Sequence, residues 1–437
     1  MLAISSLLAA RIQMAVSLGF HIIFASLGVG LPLFLLFAEW RALRTGDPIW
    51  MALARRWSKA FGILFAVGAV SGTVLSFALG LFWPRLMGRF GGVFGLPFAL
   101  EAFAFFIEAI FLGVYLYGWD RVSPRAHLLS AVPVALSGAA SAWFVVTANA
   151  WMNTPAGFQV APDGHVTAVD PIAAMLNPGT PVQTTHMMIA AYMATAFAIA
   201  SVYAVGMLRG RRDAYHKRAL AVGLALGAVL APVQIVVGDW AARFVADKQP
   251  VKLAALEGQW DTEAGAPLRI GGIPIPSEER TRFALEIPKG LSWLAYRDAD
   301  AVVKGLKDVP KELRPNIVPV HFAFQIMVAS GFGLLALGAW FAAVWMRKKV
   351  LPRSRWFLRA ATIGGPAAFL AIECGWMVTE IGRQPWIVQG VMRTRDAVTS
   401  RPVGWELLAT VVVYILLGIA CSWLLLRLAR QPKPEDA

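Results

Sequence analysis

Two glutamates seven residues apart, Glu101 and Glu108, stand in a stretch otherwise built of Ala, Phe, Ile and Leu. Seven residues is almost two turns of α-helix, so both carboxylates fall on one face. A third isolated carboxylate, Glu373, lies in the run Ile372 to Trp386, which ends in Gly382-Arg383-Gln384-Pro385-Trp386. His21, His186 and Met327 stand alone in other apolar segments. An ionisable group at membrane depth costs roughly 2.5 to 3.5 kcal/mol on insertion scales, so it is kept where it pairs, binds a metal or carries protons. His and Met are an axial pair for six-coordinate haem iron, while a lone His or carboxylate can hold a five-coordinate iron with one face open to oxygen. Carboxylates on a buried face suit a proton relay. Ser141 and Asn149, eight apart in the next span, could face the glutamate pair or continue its path. The alternative for each of these groups is a plain hydrogen bond to a neighbouring helix.

The elements that carry these residues follow from composition. With 58% hydrophobic and 15% charged residues over 437 positions, the chain is far more apolar than a soluble domain, and an all-α polytopic membrane protein is expected. At roughly 20 apolar residues per span, about nine are legible. They run near Ile12 to Trp40, Phe61 to Trp83, Gly95 to Gly118, Leu128 to Met152, Gln183 to Leu208, Leu220 to Val237, Val318 to Met346, Phe357 to Thr379 and Gly404 to Leu426. The expected division is residues 1–238 with six spans, a long external loop over 239–316 between the sixth and seventh, and 317–437 with three spans and a cytoplasmic tail. The first apolar stretch has no small-residue cleavage site after a short core and reads as a retained span. The net charge of +14 sits in short connections between apolar runs, so it sets orientation and does not argue for nucleic acid. Cys374 and Cys421 both lie in apolar segments outside any Cys-x-x-Cys-His pattern, so any haem is held non-covalently.

Basic residues such as Arg41, Arg44, Arg121, Arg125, Arg211, Arg212, Lys348 and Lys349 mark the odd-numbered connections apart from the exceptions at Arg85, Arg89, Arg393 and Arg395. The stretch from Asn153 to Val182 has no Lys or Arg. The positive-inside rule then puts the N-terminus outside and the C-terminus in the cytoplasm. On this topology His21, Glu101, His186 and Met327 lie in the outer halves of spans entering from outside, and Glu373 lies about two turns, roughly 10 Å, before the outer end of its own. All five are expected in one layer. Too few histidines remain for a haem–copper centre, and no Gly-x-Gly-x-x-Gly turn offers a nicotinamide site.

Several stretches together resemble one family, subunit I of the cytochrome bd-type quinol oxidases. They include Leu100-Glu101-Ala102-Phe103-Ala104-Phe105-Phe106-Ile107-Glu108, Gly118-Trp119-Asp120-Arg121, Thr147-Ala148-Asn149-Ala150-Trp151-Met152 and Thr184-Thr185-His186-Met187. The most specific are Gln249-Pro250-Val251-Lys252-Leu253-Ala254-Ala255-Leu256-Glu257, Phe324-Gln325-Ile326-Met327-Val328 and Gly382-Arg383-Gln384-Pro385-Trp386. The resemblance implies a terminal oxidase of the bacterial cytoplasmic membrane that oxidises quinol at the outer face and reduces oxygen to water with cytoplasmic protons. It implies His186 and Met327 as axial ligands of a low-spin haem b, and His21 and Glu373 on the two high-spin haems, one a haem b and the other haem d or a second haem b in its place. Trp376 and Arg383 count with the cofactor pocket, Glu101 and Glu108 with the haem pair and proton route, and Lys252 and Glu257 with quinol oxidation. A loop Lys and Glu would otherwise read as a solvated salt bridge. The implied partners are a second multi-span subunit, a single-span small subunit, quinol, oxygen and membrane lipid. The short loop resembles the cyanide-insensitive branch, and Gln325 and Phe369 stand where other members carry Arg and Trp. Two other readings stay open on the residues alone: a haem-bearing electron conduit that does not reduce oxygen, and a proton-coupled transporter without haem.

Overall fold

The computed structural model describes residues 4–431; the tail expected in the cytoplasm beyond Gln431 lies outside the described residues. The chain opens with four long helices, α1 (Ser6–Thr45), α2 (Pro48–Phe82), α3 (Pro84–Tyr117) and α4 (Pro124–Asn153). A small connection follows, holding β1 (Gln159–Val160), β2 (Val166–Thr167) and α5 (Pro171–Met175). Then come α6 (Thr180–Leu208), α7 (Ala214–Lys248) and an external region of α8 (Pro250–Glu257), β3 (Glu263–Ala264), β4 (Leu268–Ile275), β5 (Arg280–Ile287), α9 (Gly290–Tyr296) and β6 (Val302–Val303). The chain closes with α10 (Ile317–Lys348), α11 (Arg355–Ile381), β7 (Trp386–Val388), β8 (Met392–Arg393), α12 (Thr394–Ala397) and α13 (Gly404–Arg430). Among the described residues, nine helices are long and apolar enough to cross a membrane. In hydrocarbon the backbone must satisfy its own hydrogen bonds, which is why the apolar stretches fold as helices.

Several helices begin beyond the apolar runs that announce them. α2 starts at Pro48, where the Asp47 side chain accepts from Ile49 N, so Arg55, Arg56 and Lys59 lie on its first turns and not in the connection before it. α7 continues to Lys248, ten residues past the expected boundary at 238, and the external region starts at Gln249. Hydropathy registers only the part of a helix that meets lipid; an N-cap such as Asp47 or Asp213, each accepting from the first turn, sets where the helix starts.

α6 is the central helix: two thirds of its apolar window is buried, against 11% for α13, which lies on the periphery. It packs against α7, α11, α1 and α4. Where it meets α7 the approach is set by small residues, since a Cβ on Gly223 would come within 2.6 Å of the Ala196 carbonyl oxygen. α1 packs on α2 and α3 on α4. The external region is ordered: β4 and β5 form an eight-residue antiparallel hairpin, β3 pairs with β6, and Leu253, Ala266, Leu291 and Val303 share a small apolar core.

Candidate active site

His21 on α1 reaches across to α2, with Nδ1 at 2.9 Å from Ser71 Oγ. The Ser71 hydroxyl donates to the Gly68 carbonyl at 3.0 Å, so it accepts from His21 Nδ1–H and leaves Nε2 as the free lone pair. This is the tautomer a metal ligand needs. On α6, the ring of His186 lies against Gln234 of α7, whose amide nitrogen is 3.2 Å from Nε2 while its Oε1 is buried without a partner. Glu373 on α11 has Oε1 buried and unpartnered, and Trp376 Nε1 next to it on the chain is likewise unpartnered.

A common feature surrounds the four ligand candidates. Each faces a glycine on a neighbouring helix. A Cβ added to Gly72 would lie 3.0 Å from His21 Cε1, and one on Gly375 would lie 3.1 Å from Met327 Sδ. Cβ atoms on Gly19 and Gly238 would lie 3.6 Å from Glu373 Oε2 and 3.7 Å from His186 Cε1. The unpartnered Glu373 Oε1, with His and Met tips set against bare backbone, suits a flat macrocycle with its iron. No group of three or more His, Cys, Asp or Glu side chains that could hold a metal ion occurs among the described residues. Haem iron takes only one or two protein ligands.

The two carboxylates considered for a proton relay, Glu101 and Glu108, lie where α3 meets α4. Ser141 Oγ donates to Glu101 Oε1 at 3.3 Å, and the Glu108 carboxylate packs on Gly138, whose Cβ would be 3.1 Å from its Oε1. Glu108 is buried. Asn149 does not face this pair; its amide donates instead to Glu380 on α11 at 2.5 Å. The reason is distance along the helix, since eight residues carry Asn149 about 12 Å beyond Ser141.

Asn149 opens a second polar system. Glu380 Oε2 accepts from Arg383 Nη2 at 2.6 Å, and Asn153 donates to the Asn149 carbonyl at 3.0 Å. Asn153 Oδ1 in turn accepts from Lys252 Nζ at 2.6 Å. The loop lysine is thus tied through α4 to the end of α11. Arg383 is buried, yet its Nε and Nη1 have no partner, which suits a carboxylate such as a porphyrin propionate. Lys252 and Glu257 are both buried and form no ion pair with each other, contrary to the solvated pair that a loop position suggests. Burial, with the Arg383 charge added, brings Lys252 down to about 7; burial raises Glu257 to about 8, opposed by Arg269. Glu380, Asn153, Ser71 and Gln234 were not singled out from sequence. Glu380 could have been, because it follows Glu373 by seven, the spacing of Glu101 and Glu108.

The sequence matches the family model described as cytochrome bd terminal oxidase subunit I over residues 9–433. It is 39% identical over 439 residues to the putative cytochrome bd menaquinol oxidase subunit I of Bacillus subtilis strain 168, covering 98% of each chain. It is 31% identical to the cytochrome bd-II ubiquinol oxidase subunit 1 of Escherichia coli K12, with 96% of this chain and 95% of that one aligned. The fold matches the solved bd oxidase from Geobacillus thermodenitrificans at a TM-score of 0.90 and 40% identity, covering 99% of this chain and 100% of that one.

Two predictions follow from the ligand geometry. Met327→Leu keeps nearly the same volume, so the bundle should fold while the low-spin absorption bands are lost or turn high-spin; unchanged low-spin bands would remove Met327 as a ligand. In Gly72→Ala the added methyl crowds the His21 ring, and affinity for the haem at His21 should fall about 10- to 100-fold, the usual cost of disturbing a ligand's support. Haem-to-protein ratio checks it, with the low-spin bands retained as the internal control.

Proposed function

The chain belongs to the cytochrome bd terminal oxidase subunit I family, and from that premise we propose how its residues divide the work. The family is one of haem-binding oxidoreductases that oxidise membrane quinol and reduce oxygen. Membership selects the oxidase over a conduit or a haem-free transporter, and with nine candidate spans the chain is a multi-pass protein of a bacterial cytoplasmic membrane. As a subunit I it works with a second subunit.

In this reading His186 and Met327 hold a low-spin haem b, His21 and Glu373 hold the two high-spin haems, and Arg383 and Trp376 meet the haem periphery. Of the two high-spin groups, one is a haem b and the other haem d or a haem b. Bound there, haem supplies one-electron iron and an open face for oxygen. Nine crossings put the termini on opposite sides, and the basic connections favour the N-terminus outside and the C-terminus inside. The second subunit is multi-span, and a single-span peptide completes the assembly.

Lys252 and Glu257 receive the protons that quinol gives up at the outer face. The observation that carries this is their burial without mutual pairing: a loop lysine and glutamate kept from water at a desolvation cost are held for chemistry. Ser292, Thr281 and Gln259 already tie the external region together by hydrogen bonds, so neither residue is needed as its clasp. Glu108, deeper toward the cytoplasm, with Glu101 and Ser141 passes cytoplasmic protons outward along the α3–α4 seam. Asn149 belongs to the Glu380–Arg383 system.

A proton acceptor works in its deprotonated form. With Glu257 near 8, quinol-driven kcat/KM should rise with pH through about 8. Glu257→Gln should lower that rate about 100-fold and remove that rise, while haem content and oxidation of an artificial donor persist. A normal rate with normal haem content would overturn the role. Glu108→Ala should slow turnover about tenfold or more and suppress the electrogenic phase in reconstituted vesicles; an unaltered phase at the native rate moves the proton route out of this seam.

A further inference from the structure

We propose that the β4–β5 hairpin is a membrane-interface element, its apolar face seated in the lipid leaflet beside α10, and that it forms the lipid-side cover through which quinol reaches Glu257. The second half rests on the assignment of Glu257 above; the first does not.

The hairpin presents an apolar surface outward. Its register sets Ile270 opposite Leu285, while Leu268, opposite Ile287, packs inward on the small apolar core of the external region. Ile270 is 49% exposed, Leu285 67% and Phe283 85%. Between the pairs Gly271–Ala284 and Ile273–Arg282, Gly272 and Phe283 face each other, both left-handed, with φ of 92° and 60°. That backbone is rare for a bulky residue, and here it accompanies a phenylalanine held almost wholly outside the fold. A contiguous apolar face of this kind has an occupant.

Depth identifies the occupant as lipid. The hairpin is pinned to α10 by the Gln325 side chain, which accepts from Gly271 N at 3.0 Å and donates to the Arg269 carbonyl at 3.1 Å, and by His321 Nε2 at 3.0 Å from the Gly271 carbonyl. α10 ends in Arg347 and Lys348. Counting back about 20 residues, the length that spans a hydrocarbon core of about 30 Å, reaches the level of Met327. His321 and Gln325 therefore sit within two turns above the hydrocarbon, in the headgroup layer, and so does the strand they hold. Phe322 and Ile326, exposed on α10, continue the apolar surface downward. Trp240 on α7 and Trp293 and Tyr296 on α9 are also exposed near this level, as in the aromatic belts of membrane interfaces.

The other side of the hairpin closes over α8. Thr281 Oγ1 donates to the Gly258 carbonyl, next to Glu257, at 2.8 Å, and Arg269 bonds Gln259. Lipid on one side and Glu257 on the other make this the short path for a molecule dissolved in the leaflet.

The test uses the complete oxidase in vesicles of phosphatidylethanolamine and phosphatidylglycerol. Both native cysteines are buried, so a spin label directed to Phe283→Cys marks the hairpin face, and one at Glu278→Cys marks its polar turn. Expected is greater collision with oxygen than with a water-soluble nickel chelate at position 283, and the reverse at 278. Equal aqueous access at both positions overturns the lipid seat; shielding of position 283 from both reagents also overturns it, giving the face to a protein partner. For the route, Phe283→Asp should raise KM several-fold for a long-isoprenoid quinol, with KM for a short-chain soluble quinol, kcat and haem spectrum unchanged. An equal rise for both chain lengths overturns the route. If Glu257→Gln leaves quinol turnover normal, the Glu257 assignment fails while the label depths still decide the lipid seat.

Discussion

A charged or hydrogen-bonding group placed in hydrocarbon has no water to fall back on, and this constraint orders most of what is seen here. Many side chains in such a place are paired across neighbouring helices. Glu39 near the C-terminal end of α1 and His127 near the N-terminal end of α4, both buried, meet at 2.8 Å, and the other ring nitrogen of His127 lies 2.9 Å from the Tyr115 carbonyl oxygen. That cluster ties three helices together with His127 satisfied at both nitrogens. The ligand candidates are organised differently. His21 is satisfied only at Nδ1, Glu373 keeps a bare Oε1 and Arg383 two bare donors. A bare buried atom costs a few kcal/mol of desolvation; Glu39 Oε2 and Ser26 Oγ carry that cost too, while at Glu373 and Arg383 the residue types suit completion by a cofactor.

Glycine does the complementary work. Close helix contact in a membrane needs small residues in general, and positions such as Gly223 serve that end by admitting the α6 backbone. Gly72, Gly375, Gly19 and Gly238 are different because what they face is the tip of a candidate ligand side chain and not a backbone. Removing Cβ there keeps bare backbone beside two imidazole Cε1 atoms, a carboxylate oxygen and a thioether sulfur, each contributed by a different helix.

Much of this was legible in the chain. Nine apolar runs announced the nine long helices among the described residues, and the lone His, Met and Glu residues within them prompt the haem reading by type alone. Helix ends were less legible, because the turns of α2 and α7 that leave the hydrocarbon are polar and look like connection. Ser71 and Gln234 were invisible because a hydroxyl or amide in a span is common and only its partner gives it meaning. For Asn149 the sequence left open whether it faces the glutamate pair or continues its path: spacing gives the face of a helix but not which helix lies opposite, and at its level that is α11. The order of the external region was hidden too. Its hairpin and short helices follow local turn and strand patterns, but what fixes them is contact with His321 and Gln325 on a distant helix.

The link from Lys252 to Arg383 shows how the external region and the bundle become one site. Two potential cations, Lys252 and Arg383, share a buried polar system with one carboxylate, Glu380. Arginine keeps its proton in proteins, so the system balances only when Lys252 is neutral, and that surplus of positive charge adds to desolvation in bringing Lys252 to about 7. The backbone enforces the arrangement, since Gly382 brings α11's end so near that a Cβ there would lie 3.0 Å from Lys252 Cγ. A carboxylate accepting from the bare Nε and Nη1 of Arg383 would offset the surplus and favour the protonated lysine. The proton affinity of a loop residue is therefore governed by the charge held at the end of a membrane helix, through Asn149 and Asn153, which carry no charge themselves.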